Sequence, residues 1–210
     1  MSYAVKEIFK TLQGEGAQSG RAAVFCRFAG CNLWSGREQD RATSVCAFCD
    51  TDFVGIDGTD GGRFADAVGL ADAIERSWGH KPDGRYTVLT GGEPLLQVDS
   101  ALIDALHARG FEIAVETNGT QVAPDGLDWI CVSPKADAPL NLTRGNEIKL
   151  VYPQAKARPE QFEHLEFSHF FLQPMDSSEA EENLAATIAY CTENPRWRLS
   201  LQSHKMIGIR

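Results

Sequence analysis

No apolar run in the 210-residue chain approaches the roughly eighteen residues that a helical membrane span needs, so no anchor of that kind is expected. The opening MSYAVKEIFK carries no secretory apolar core, and the expected setting is the cytoplasm. Basic residues are scarce: 20 Lys and Arg stand against 29 Asp and Glu, for a formal net charge of −9. That balance argues against a broad nucleic-acid footprint and leaves room only for a local cationic pocket. Internal repeats and low-complexity segments are also missing, and the length suits one compact domain, residues 1–210.

What is present is a core and a rhythm. Apolar residues make up 43% of the chain, ordinary for a globular protein with a buried interior. Short apolar runs end at once in polar, specific clusters. RAAVFCRF leads into AGCNLW, YTVLT into GGEP, EIAVE into TNGT, WICVS into PKAD, EIKLVY into PQAK and HFFLQ into PMDSS. Runs rich in Val, Ile, Leu and Phe, bounded by Gly, Pro and Asn, read as buried parallel strands. Residues 64–78, 97–109 and 178–191 carry apolar positions at helical spacing, with Gly79 and Gly110 as stops for the first two. Other connections are too short or too broken for a helix, and GIDGTDGGR at 55–63 reads as a surface loop. The expected class is α/β, built of β/α units with several helices shortened or missing. In such units functional residues gather on the loops after the strands' C-terminal ends, where every suggestive cluster here falls.

Six cysteines stand at 26, 31, 46, 49, 131 and 191. Cys26, Cys131 and Cys191 fall in apolar strand or helix patterns and read as core thiols. Cys46 and Cys49 form a C-x-x-C pair, and fourteen residues intervene between Cys31 and Cys46. A structural zinc site needs four closed ligands; Cys26 would have to leave its strand to supply the fourth, and the nearest histidine is His80. Three thiolates alternatively suit a 4Fe–4S cluster with one iron left open to a small-molecule ligand. Spacing alone leaves both open. TGGEP at 90–94 adds bare backbone that can approach an amino-acid-like group, a carboxylate, Glu93, to accept from an ammonium, and Pro94 to stiffen the turn.

Taken together, these residues resemble the radical S-adenosylmethionine (SAM) superfamily, in which three cysteines hold such a cluster and a GGEP-type motif holds the methionine amino group. Most members space the cysteines C-x-x-x-C-x-x-C with an aromatic before the last. Phe48 fits that aromatic; the long first gap departs from the pattern. The departure, with TLQGEG (11–16), RFAGCNLW (27–34), CAFCDTDF (46–53), ETNGT (116–120), SPK (133–135), KLVY (149–152) and FLQPMD (171–176), makes the chain similar to one branch, the 7-carboxy-7-deazaguanine synthase family, where an expanded cysteine loop is known.

The resemblance implies a partial β/α barrel of the radical SAM type, with an expanded cluster-binding loop at 31–49. It implies conversion of 6-carboxy-5,6,7,8-tetrahydropterin to 7-carboxy-7-deazaguanine with loss of ammonia, using a 4Fe–4S cluster, SAM and Mg2+. Cys31, Cys46 and Cys49 would hold the cluster. Phe48, Cys49, Asp50, Gly92, Ser133, Pro134, Lys135, Gln173, Pro174, Met175 and Asp176 match the SAM contacts, and Thr51 matches the magnesium position. Leu12, Gln13, Gly14, Arg27, Thr90 and Arg210 match the substrate site, with Arg27 suited to grip a carboxylate in two-pronged fashion. A buried terminal carboxylate at Arg210, closing a final strand, would accept from the guanidine-like edge of the pterin. Glu15, Glu116 and His204 divide between a pocket role and local ion pairing. An external reductant such as flavodoxin or ferredoxin and a homodimer are further expectations. The rivals are another radical SAM enzyme, such as a glycyl-radical activase, and a non-enzymatic zinc module.

Overall fold

The computed structural model describes residues 2–210. In chain order its elements are β1 (Tyr3–Leu12), β2 (Ala22–Phe28), β3 (Gly62–Phe64), α1 (Ala67–Trp78), β4 (Tyr86–Gly91), α2 (Ser100–His107), β5 (Glu112–Thr117), β6 (Trp129–Val132), β7 (Arg144–Tyr152), β8 (Glu166–Pro174), α3 (Ala180–Glu193), β9 (Trp197–Leu199) and α4 (Ser203–Ile207). They form one nine-stranded sheet in the order β3-β1-β2-β4-β5-β6-β7-β8-β9. From β2 to β9 every pairing is parallel; β1 runs antiparallel to both β2 and β3. The ends of the sheet do not pair with each other, so the barrel is partial. None of the described helices is long and apolar enough to cross a membrane.

Side-chain alternation along the strands sorts the residues onto two faces. Val24, Cys26, Leu89, Ile113, Val115, Ile148, Leu150 and Leu172 point outward into the main apolar core, which α1 covers over β1 and β2, α2 over β5 and α3 over β8. Leu70, Ile74, Leu102 and Leu106 are fully buried there, each stabilising the fold by roughly 1.5–3 kcal/mol. Both helices begin on an aspartate: Asp66 accepts from the Gly69 N–H at 2.8 Å and Asp99 from the Leu102 N–H at 3.0 Å. Gly79, at φ 92°, ends α1 as its position predicts. Between β5 and β6, and between β6 and β7, no helix forms. Loop residues Ala123, Leu127, Leu140 and Leu142 cover the core instead.

Three expectations change. MSYAVKEIFKTL contains a ten-residue strand, β1, that apolar runs did not mark. The end of the supposed 55–63 loop pairs with it as β3, Gly62 opposite Val5. And the C-terminal stretch is not a strand to its end: β9 stops at Leu199, and α4 follows, closed by Gly208 in the left-handed region at φ 70°.

Candidate functional site

The inward residues of the strands, with the loops at their C-terminal ends, enclose a cavity of about 460 Å³, a size suited to small-molecule ligands. Its floor is a small apolar plug of Ala23, Tyr86, Val88 and Ala114. Cys31, Cys46 and Cys49 all line its wall, as do Phe48, Asp50, Thr51, Gly92, Ser133, Lys135 and Gln173 to Asp176. Leu12, Gln13, Gly14, Arg27, Thr90 and Arg210 line it too, and so do Glu15, Glu116 and His204. Of the residues singled out by motif, Pro134 lies behind the wall and Glu93 is fully buried away from it.

The first glycine pair explains why the cysteine loop and TGGEP act as one unit. Gly91 sits at φ 123°, and a Cβ there would collide with the Phe28 backbone; one on Gly92 would collide with the Gly30 backbone and Cys31. The bare backbone allows Gly92 N–H to donate to Phe28 O at 3.1 Å and Glu93 N–H to Gly30 O at 2.9 Å. Glu93 is then not an ammonium acceptor. Its carboxylate accepts from Thr117 Oγ1 at 2.7 Å, Asn118 N–H at 2.8 Å and Leu95 N–H at 3.0 Å, tying TGGEP to ETNGT. Asn118 Nδ2 donates to Asn32 Oδ1 at 3.0 Å, so the cysteine loop joins the same network.

The three thiols differ electrostatically. Burial pushes Cys31 up. The Cys46 thiol donates to Cys49, which raises Cys46 and lowers Cys49 to about 6, toward the thiolate. Among the described residues no three His, Cys, Asp or Glu side chains converge as a single-ion site. An all-thiol donor set spread along one wall suits a cluster, in which each cysteine takes its own iron. Beside it, Lys135 donates to Ser133 O at 2.8 Å and Ser133 Oγ at 2.6 Å, with its ammonium 5.9 Å from the Phe48 ring. Burial raises Asp50, but Lys205 at 2.7 Å and Gln202 at 3.1 Å outweigh it, and the carboxyl stays below its usual range. Lys205 also reaches Asp176 at 2.5 Å.

On the opposite wall Arg27 is already engaged, its Nε 2.9 Å from Glu7 Oε1. Glu7 also pairs with the Arg210 guanidinium. Arg210 is exposed rather than buried, and its main-chain oxygen accepts from Thr11 Oγ1 at 2.8 Å. Gln13 donates to Glu116 Oε1 at 2.9 Å. The His204 ring fills the space over Gly14, and Ser203 donates to Gly14 O at 3.0 Å from N–H and 2.8 Å from Oγ. In this way α4 clamps the TLQGEG loop.

Sequence reading missed Glu7, Lys149, Gln202 and Lys205. Lys149 is the most consequential: its side chain is 6% exposed, its Nζ lies 2.5 Å from Glu15 Oε2 and 3.6 Å from Glu116 Oε1. Burial would lower an isolated lysine, yet the surrounding carboxylates Glu116, Glu15 and Glu147 hold Lys149 well above its ordinary value. The signal was there, since strand alternation puts Lys149 in phase with Glu147 and Val151, on the inward face. Cys131 departs from expectation in the same region. It is buried, but faces inward with its Sγ 3.5 Å from Glu147 Oε1 rather than packing in the apolar core.

No family model matches the chain. It is 71% identical over 210 residues to the 7-carboxy-7-deazaguanine synthase of Bradyrhizobium diazoefficiens, covering 100% of both chains. It is 66% identical over 209 residues to that of Bordetella pertussis, again covering 100% of each. Its fold superimposes on the crystal structure of QueE from Escherichia coli with a TM-score of 0.74 and 29% identity, over 97% of this chain and 95% of that one.

Proposed function

The chain belongs to the 7-carboxy-7-deazaguanine synthase family, and from that premise we propose how its own residues divide the work. The protein is a radical SAM lyase that converts 6-carboxy-5,6,7,8-tetrahydropterin to 7-carboxy-7-deazaguanine, the ring contraction of queuosine biosynthesis. Radical SAM membership implies a 4Fe–4S cluster and SAM. When bound, the two supply the 5′-deoxyadenosyl radical that takes hydrogen from the pterin.

In this reading Cys31, Cys46 and Cys49 hold the cluster, the last already shifted toward the thiolate. Bare backbone at Gly91 and Gly92 receives the amino-acid end of SAM, and Lys135 stands ready for its carboxylate. Phe48, Asp50, Ser133, Gln173, Pro174, Met175 and Asp176 line the rest of that half of the cavity; Pro134 shapes the loop from behind. Arg27 grips the pterin carboxylate, exchanging Glu7 for it. Gln13, Thr90 and Glu116 meet the planar donors and acceptors of the ring, with Leu12 and Gly14 contributing loop backbone and Arg210 closing the edge. The aromatic side chains of Phe9, Phe25, Trp34 and Phe53 in the wall exclude water from a site where stray hydrogen donors would divert a radical. Thr51, beside Asp50 and Asp52, would hold Mg2+ through its hydroxyl while the ion keeps much of its water.

One observation carries the assignment: the three thiols and the Gly91–Gly92 backbone share a single cavity with Gln13, Arg27, Thr90 and Glu116. Six cysteines, all unpaired, suit a reducing cytoplasm, where flavodoxin or ferredoxin would supply the electron. A homodimer would cover Leu184 and Ile188, which α3 leaves 36% and 46% exposed; light scattering tests it. The deciding assay is anaerobic incubation of reconstituted protein with the carboxytetrahydropterin, SAM and reductant, with and without Mg2+. Deazaguanine product is expected, fastest with Mg2+; its complete absence would reject the reading.

A further inference from the structure

We propose that Arg41, in the middle of the long gap between Cys31 and Cys46, is a positioning residue for the iron–sulfur cluster. The inference rests on the cluster site described above. A C-x-x-x-C-x-x-C run would fix three thiolates within one short loop. Here fourteen residues separate the first from the second, and a longer loop leaves its ends freer. Something else must hold the Cys46–Cys49 turn against the wall that carries Cys31.

Backbone bonds do little of this. Val45 and Cys46 N–H groups reach only Leu33 O, at 3.2 and 3.5 Å. Arg41 does more. Its Nη1 donates to Ala47 O at 2.9 Å and Cys49 O at 3.0 Å, two carbonyls of the turn itself. Its Nε lies 2.9 and 2.8 Å from the two oxygens of Glu38, which fixes the plane of the guanidinium. The guanidinium carbon stands 4.1 Å from the Trp34 ring centre. Trp34 follows Cys31 by three residues, is 8% exposed, and meets Phe53 edge-on at 5.6 Å. One side chain thus joins the Cys31 segment, the insert and the Cys46–Cys49 turn.

The chemistry is specific to arginine. A planar fork can stack on an indole, donate to a carboxylate from one nitrogen and bridge two carbonyls from another. A lysine has the charge but not the plane. The charge itself sits against the backbone of a ligand cysteine, so it also favours the more negative, reduced state of a thiolate-bound cluster. Geometry and charge are therefore separable by substitution: Arg41→Lys removes the fork and keeps the charge, whereas Arg41→Gln removes the charge and keeps one amide donor.

The experiment reconstitutes wild type and both variants anaerobically and follows three readouts: iron and sulfide per chain, the rate of cluster loss to an iron chelator by absorbance, and the cluster's reduction potential. Melting of the cluster-free proteins serves as the folding control; Arg41 is partly exposed, so all three are expected to melt alike. Both variants should lose the cluster about tenfold faster than wild type, and only Arg41→Gln should shift the potential to more negative values. Variants that load fully and release iron within twofold of the wild-type rate would overturn the inference while leaving the family reading intact. So would a potential shifted equally in both variants with unchanged iron loss. Wild-type protein that assembles no cluster would overturn both.

Discussion

Replacing Lys149 with methionine should turn the barrel interior against itself. Lys149 has one strong partner, Glu15 at 2.5 Å, and a weaker one, Glu116 at 3.6 Å. Glu147, 3% exposed, adds a third carboxylate on the same inward face. Methionine fills the volume of the lysine stem but cancels none of this charge. Stripping one partner from a buried ion pair costs roughly 3–5 kcal/mol, and with two carboxylates losing their cation the upper part of that range, about 4–5 kcal/mol, is expected. For a domain of this size that lowers the melting temperature by roughly 8–20 °C. The deficit should depend on pH. In the wild type, burial raises Glu15, but Lys149 more than offsets it, so the folded carboxyl lies below its ordinary value. A depressed carboxyl contributes stability above its unfolded pKa, near 4.3, that is lost as pH falls through the folded value. Without Lys149, burial dominates and the folded pKa moves above the unfolded one. The variant then gains stability as pH falls from 7 toward 5, and the deficit narrows over that window. Adding Glu15→Gln to Lys149→Met should recover at least about 1 kcal/mol by removing the stranded charge. Thermal unfolding at pH 7 and pH 5 decides the matter. A deficit below about 1 kcal/mol at pH 7, or one that does not change with pH, would refute this account of the lysine.

Other substitutions probe other joints. Glu93→Gln must turn its amide N–H2 toward one of two backbone donors, the Asn118 N–H or the Leu95 N–H, and should cost roughly 1–3 kcal/mol in urea unfolding; an unchanged midpoint would mean the network does not tie the loops. Gly91→Ala meets both a left-handed φ and the Phe28 backbone, so a loss of at least about 2 kcal/mol is expected, together with lower iron content after reconstitution. Cys26→Ala, fully buried in the core, should cost on the order of 1 kcal/mol and leave iron content unchanged, in contrast to alanine at Cys31, Cys46 or Cys49.

The parallel strands were legible where both faces are covered, so that YTVLT, buried along its whole length, reads as a near-continuous run. Strand β1 was not. YAVKEIFKTL alternates, and its inward positions Glu7 and Thr11 serve the cavity rather than a core, which weakens the apolar signal. β3 exists only because Gly62 pairs with Val5, a tertiary fact with no local trace in GIDGTDGGR. The reading of Glu93 failed for a related reason: a carboxylate in a glycine turn looks like a ligand group, and nothing nearby in sequence shows that Thr117 and Asn118 will claim its oxygens. α4 did carry a signal, the glycine after KMI, which the apolar spacing of Trp197 to Leu201 concealed. Cys31, Cys46 and Cys49, TGGEP, SPK and QPMD were legible because they lie where parallel strands end; TLQGEG instead follows the antiparallel β1, beside the start of β2, and still reaches the same cavity.

The sheet that makes this cavity never closes, and an open sheet offers unpaired backbone at both rims. Here each rim is a strand of only three residues, β3 and β9. So short an edge gives an incoming chain almost no ladder to extend. The molecule can therefore leave its barrel open on one side without becoming a template for its own polymerisation.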